Sequence, residues 1–214
     1  MHSAAVLRLT GTERGVAEVA AIAEHVASLT ATAAALDLTP DVPHPTADGR
    51  ATVPLLDETS APDAAATLAE IRAWSREALA IDHVPAVWRA LAHLPRLLES
   101  TWRKDRLVLG AGVLDELVKG CAGLAVAQFR QSPYWIRYLT HFLRARCGLE
   151  DRGVVEVAGA VMHYVSFNTI AHGMRLDPPM ADMAAADVAP GGQFERYLPG
   201  ARLPSGGDAA APGR

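Results

Sequence analysis

Ser132-Pro133-Tyr134-Trp135-Ile136-Arg137-Tyr138-Leu139-Thr140-His141-Phe142-Leu143-Arg144-Ala145-Arg146-Cys147-Gly148 is the stretch that decides the fold. Its serine is a helix N-cap and its proline sits inside the first turn, where the missing N–H costs nothing. The closing glycine tolerates the left-handed conformation of a C-terminal cap. Tyr134, Tyr138 and His141 recur at i, i+4 and i+7, so they share one helix face.

The same punctuation recurs on both sides. Upstream, Leu114–Arg130 is a breaker-poor stretch, apolar at Leu117, Cys121, Leu124 and Ala125. Downstream, Glu150 and Asp151 open a long helix that stops at Gly173, ahead of Pro178-Pro179. Pro95 starts a helix toward Leu109, with Gly110 and Gly112 at its end, and a short helix spans Pro85–His93. Ser60-Ala61-Pro62-Asp63 reads as the start of a helix running to about Ala80. Val16, Val19, Ala20, Ile22, Ala23, Val26 and Leu29 give Thr12–Leu36 an amphipathic helical pattern. No stretch alternates with a period of two, so the expected fold is all-α. Three regions result: 1–60, an N-terminal helix and proline-rich connection; 61–180, a helical domain; and 181–214, an Ala/Gly/Pro-rich tail expected to be disordered.

The totals agree. Alanine supplies much of the 50% hydrophobic content, aromatics are only 6%, and 214 residues suit one substantial core. A net charge of −4 provides no basic field for nucleic acid. No charged-then-apolar leader opens the chain, and uncharged apolar stretches fall short of the roughly 18–20 residues a membrane helix needs. The expectation is a cytoplasmic protein that contacts neither membrane nor nucleic acid. Cys121 and Cys147 fit neither a redox CxxC nor a zinc site.

Two segments and a joint then resemble a known family. Val84-Pro85-Ala86-Val87-Trp88-Arg89-Ala90-Leu91-Ala92-His93-Leu94-Pro95-Arg96-Leu97-Leu98-Glu99, followed by Trp102, is similar to the first signature of the carboxymuconolactone decarboxylase and AhpD-like superfamily, in its peroxidase-related branch. Tyr164-Val165-Ser166-Phe167-Asn168-Thr169-Ile170-Ala171-His172-Gly173-Met174 resembles its second, and Gly148-Leu149 followed by acids resembles the joint between them. The resemblance implies an AhpD-like helical bundle that assembles as a homo-oligomer. Its chemistry rests on a glutamate, a Cys-x-Tyr-Cys and a histidine. With Tyr134 on the pattern's tyrosine, the cysteines become Ser132 and Trp135, the histidine Leu139 and the glutamate Gly120. Thiol peroxidase chemistry is therefore not expected.

What could replace it is a pocket for a small molecule. His141 and His172 are candidate general bases, with Tyr138 beside them; Tyr134, Trp135, His163, Tyr164 and Asn168 are candidate binding residues. Each has a plain structural alternative: Tyr, Asn and His satisfied between helices, Trp135 and Leu139 filling a core. Glu116 lies one turn before Gly120 as a displaced carboxylate or an exposed helix-start acid. Arg89 either bridges helices through a carboxylate or is solvated. His141, His163, His172 and Glu116 share no recognised ligand spacing, so no metal and no cofactor are expected. Three functions remain open: cofactor-free acid–base chemistry on a small organic molecule, a non-catalytic ligand-binding or scaffold role, and a hydrolase similar to the group I haloacid dehalogenases, whose signature Arg89–Trp102 also resembles.

Overall fold

The computed structural model describes residues 13–45, 50–110 and 112–175, which form helices joined by turns and irregular connections, with no strand among them. The helices are α1 (Glu13–Ala35), α2 (Ala65–Leu79), α3 (Ala86–Leu91), α4 (Pro95–Leu109), α5 (Glu116–Phe129), α6 (Pro133–Cys147) and α7 (Asp151–Gly173). The tail 181–214 lies outside the described residues. The chain divides into two units, Met1–Ser166 and Phe167–Arg214. The first holds α1 to α6; the described part of the second is the last turns of α7 and the two residues after it.

Helix ends follow local chemistry. Ser132 caps α6 by accepting from the Trp135 N–H, and Gly148 ends it at φ 66°. Asp115 caps α5 by accepting from the Val118 N–H at 2.8 Å. Ser60 does not cap α2: its hydroxyl donates to Asp57 Oδ1 at 2.8 Å, and a 3-10 turn at Pro62–Ala64 precedes the helix. Asp57 also accepts from the Thr59 and Ser60 N–H groups, and this local turn holds the serine away from the helix.

Helices α5 and α6 form an antiparallel hairpin against α1. The approach is tight at Gly120, where a Cβ would lie 2.6 Å from Leu143 Cδ2 and force that side chain to shift. Helix α1 belongs to the same core. Ile22, Val26, Leu29 and Ala33, spaced along one helical face, are all at most 2% exposed. Trp88 and Trp102 are buried and meet edge to face, with Trp74 packed on Trp102.

Lys119 is the main polar tie. It is 1% exposed and donates to the Val108 and Gly110 carbonyls at the end of α4, with Glu18 of α1 3.2 Å away. Glu18 also accepts from the Val113 and Leu114 N–H groups. The proline-rich connection is held by backbone carbonyls: Arg89 donates to Leu55 and Leu56, and His93 bonds Pro54 at 2.8 Å. Arg89 thus bridges without a carboxylate.

One expectation needs correcting. Helix α7 is 23 residues long and, by length and composition, apolar enough to cross a membrane, and none of that apolar stretch is buried. Reading only uncharged runs missed it, because scattered Ser, Thr, Asn and His interrupt the stretch without making it hydrophilic.

Candidate functional site

Helix α6 carries the residues on which a site was expected, and the core takes most of them. Trp135 is fully buried, and its indole Nε1–H donates to the Leu29 carbonyl at 2.9 Å. Leu139, one turn on, is 1% exposed. Tyr134 is buried, and its hydroxyl accepts from the Val87 N–H at 3.1 Å. Burial, then the neighbouring Asp41 carboxylate, pushes the Tyr134 phenol well above its usual range. Burial does the same to Tyr138.

His141 lies at the edge of this core. Its Nε2 is 2.6 Å from the carbonyl of Leu79, the last residue of α2. A carbonyl only accepts, so Nε2 carries the proton and His141 supplies a donor to a helix C-terminus. Four candidates lie on α7: His163, Tyr164, Asn168 and His172 are all exposed there, and the His163 and Tyr164 rings meet edge to face at 5.8 Å.

Neither cysteine occupies a thiolate-stabilising position. Cys121 is in the middle of α5 and Cys147 is the last residue of α6, where the helix dipole disfavours an anion. Burial first, then nearby carboxylates, pushes both thiols up. A peroxidatic thiol needs the opposite shift. No cluster of His, Cys, Asp and Glu suited to a metal occurs among the described residues.

Two cavities border α6. The smaller, about 140 Å³, has Tyr138, Leu139 and Phe142 in its wall, with Arg106 stacked over Trp74 and the Glu116–Arg146 pair beside them. Glu116 is thus paired with Arg146 at 3.0 Å. The larger, about 510 Å³, opens where the C-terminal end of α1 meets the first turn of α6. Ser132, Pro133 and Tyr134 form one wall, Thr30, Ala33, Ala34 and Leu38 another, and Arg50 and Arg130 also line it. Gln131, just before Ser132, holds φ 52°, a left-handed conformation uncommon outside glycine and found disproportionately at functional sites. Small-molecule sites run from about 300 to 1,000 Å³, which the larger cleft meets and the smaller does not.

The crystal structure of the alkylhydroperoxidase AhpD core from Rhodospirillum rubrum matches this fold with a TM-score of 0.54 and 30% sequence identity, over 61% of this chain and 96% of that one. The chain belongs to the AhpD-like family. No protein-family model and no curated protein matches the sequence. The sequence resemblance set Ser132 and Trp135 at the Cys-x-Tyr-Cys positions. The serine lines the larger cleft, while the tryptophan is locked into the core. Sequence reasoning named Tyr134 and noted Ser132 as a cap. It missed Arg50 and Arg130, which no spacing links to them.

Proposed function

We propose that this chain is an AhpD-like protein without thiol peroxidase chemistry, which binds a small organic anion in the cleft at the head of α6. The observation that carries this reading is the cleft itself. It has the volume of a small-molecule site, and Arg50 and Arg130 line it together with the buried Ser132, which the resemblance sets at a family thiol. Guanidinium forks suit a carboxylate, and the apolar wall from α1 suits the remainder of such a ligand. Acid–base chemistry on the α6 face is less well supported. His141 Nε2 is engaged with Leu79, and Tyr138 is held neutral by burial.

The test is thermal unfolding with a panel of small mono- and dicarboxylates. A saturable rise in Tm that weakens in Arg50→Ala and Arg130→Ala is expected. A panel that moves nothing, or a rise indifferent to both substitutions, refutes the binding reading. Hydroperoxide consumption with a dithiol reductant should match that of a Cys121→Ser/Cys147→Ser variant; a thiol-dependent excess refutes the other half. The exposed apolar side chains of α7, among them Val155, Met162 and Ile170, support assembly into a homo-oligomer that covers them.

A further inference from the structure

Helices α1 and α4 face each other across a separate cleft of about 310 Å³, lined by His25, Ser28 and Thr32 from one side and Ser100, Thr101 and Lys104 from the other. His25 borders it with only 2% of its side chain exposed, and its Nε2 lies 3.0 Å from Asp105 Oδ1, itself on a side chain 3% exposed. A carboxylate only accepts, so Nε2 is the nitrogen that carries the hydrogen toward Asp105. Nδ1 makes no hydrogen bond among the described residues. His25 is one of the residues that line the cleft.

Cohesion alone does not account for this pair. Taking a histidine and an aspartate out of water carries a desolvation penalty that their attraction does little more than offset, and apolar pairs of similar volume hold helices as well. Helix α1 already uses such residues on either side of His25, at Ile22, Val26 and Leu29. A carboxylate that orients an imidazole and leaves its other nitrogen without a hydrogen bond, on a residue lining a cleft, is instead the arrangement of an oriented general base.

We propose that His25, oriented by Asp105, is the proton acceptor of a catalytic site in this cleft, and that its substrate is a small 2-oxo carboxylate. The Lys104 ammonium receives the carboxylate. Lys104 is now 2.7 Å from Glu24 in an exposed pair, an interaction weak enough to share. The Thr101 hydroxyl hydrogen-bonds the keto oxygen, while that of Ser100 stays on the Leu97 carbonyl at 3.1 Å. His25 Nδ1 removes a proton from C3; the C–H electron pair forms the C2–C3 double bond, and the C2 carbonyl pair moves onto oxygen as an enolate. Return of a proton from His25 to C3 restores the ketone, and in D2O the returning nucleus is deuterium. The site shares no residue with the anion cleft at α6, so either reading can fail alone.

Pyruvate is the probe. Loss of its methyl proton signal in D2O, followed by NMR with the full chain, should run at least about tenfold faster than with the same concentration of free imidazole. His25→Gln should abolish the excess and Asp105→Asn should reduce its maximal rate. Lys104→Gln should raise the half-saturating pyruvate concentration with a smaller effect on that rate. Because changes at the buried pair can unfold the chain, the wild type gives the second measurement: ring ¹⁵N signals of His25 should report an Nε2–H tautomer and shift saturably with pyruvate. Exchange at the imidazole rate, an Nδ1–H tautomer, or ring signals indifferent to pyruvate each overturns the proposal. So does loss of the maximal rate in Lys104→Gln, which assigns the exchange to an imine on that lysine.

Discussion

Replacing Lys119 by methionine isolates the polar tie between α1, α4 and α5. Methionine keeps a flexible unbranched stem of similar reach but removes every donor. The Val108 and Gly110 carbonyls, now 3.1 and 2.8 Å from Nζ, are left without it in a place where the side chain is 1% exposed. Each buried acceptor stranded in this way costs about 1–3 kcal/mol. Glu18 loses less, because the Val113 and Leu114 N–H groups still hold it at 2.7 and 3.1 Å. Relief of the desolvated ammonium offsets part of the loss. A net destabilisation of about 2–4 kcal/mol follows, which for a chain of this size lowers Tm by roughly 5–15 °C. Urea and thermal unfolding followed by far-ultraviolet circular dichroism at neutral pH give the value. The comparator is Arg152→Ala, which removes an exposed pair with Glu156 worth no more than about 0.5 kcal/mol. If the two variants prove equally stable, the buried lysine is not holding the α4 terminus.

Acid behaviour supplies a second expectation. Backbone donation from Val113 and Leu114 is the largest cause of the depressed Glu18 carboxyl, with Lys119 a lesser one. A depressed carboxyl stabilises above its unfolded pKa and loses that contribution as pH falls through the folded value. This limb should survive in Lys119→Met; its disappearance contradicts the ranking. Asp41 titrates the other way, because burial raises its carboxyl despite the bond from the Ala86 N–H. A raised carboxyl favours folding below its unfolded pKa, about 3.9, and that contribution is lost as pH rises through the folded value. Asp41→Asn keeps an acceptor for Ala86, so its stability relative to wild type should improve between about pH 4 and 7; urea midpoints that diverge the opposite way sink the assignment. Sedimentation velocity should find an assembly larger than one chain, and Met162→Glu on α7 should dissociate it. A monomer at tens of micromolar in the unaltered chain refutes assembly.

Much of the fold was legible because its signals are local. Proline in a first turn and a closing glycine bound α6 at Pro133 and Gly148, and the apolar spacing of α1 picks out Ile22, Val26 and Leu29. Ser60 was misread because the same short polar chemistry that caps helices also closes turns, and Asp57 lay within reach. The site was harder. Spacing puts Tyr134, Tyr138 and His141 on one face but does not say what meets it; that face meets the Val87 N–H, the aromatic core and the open end of α2. The His25–Asp105 pair spans 80 positions, and the arginines of the large cleft come from a connection and a turn. No periodicity links such residues; only the packing of α1 against α4 and α6 does.

The four tryptophans, Trp74, Trp88, Trp102 and Trp135, lie on α2, α3, α4 and α6. Three form an edge-to-face chain, with centroids 5.5 Å apart for Trp74–Trp102 and 5.3 Å for Trp88–Trp102, and Arg106 stands over the Trp74 face at 4.7 Å. Excitation is shared among indoles this close, so their emission behaves as one chromophore cluster with Trp74 as its partly exposed end. The intrinsic optical signal of this protein is thus a readout of the α2–α6 core. Helix α7 carries no tryptophan, so its melting or association leaves the indole emission unreported unless an indole is placed there, and only Tyr164 signals from it.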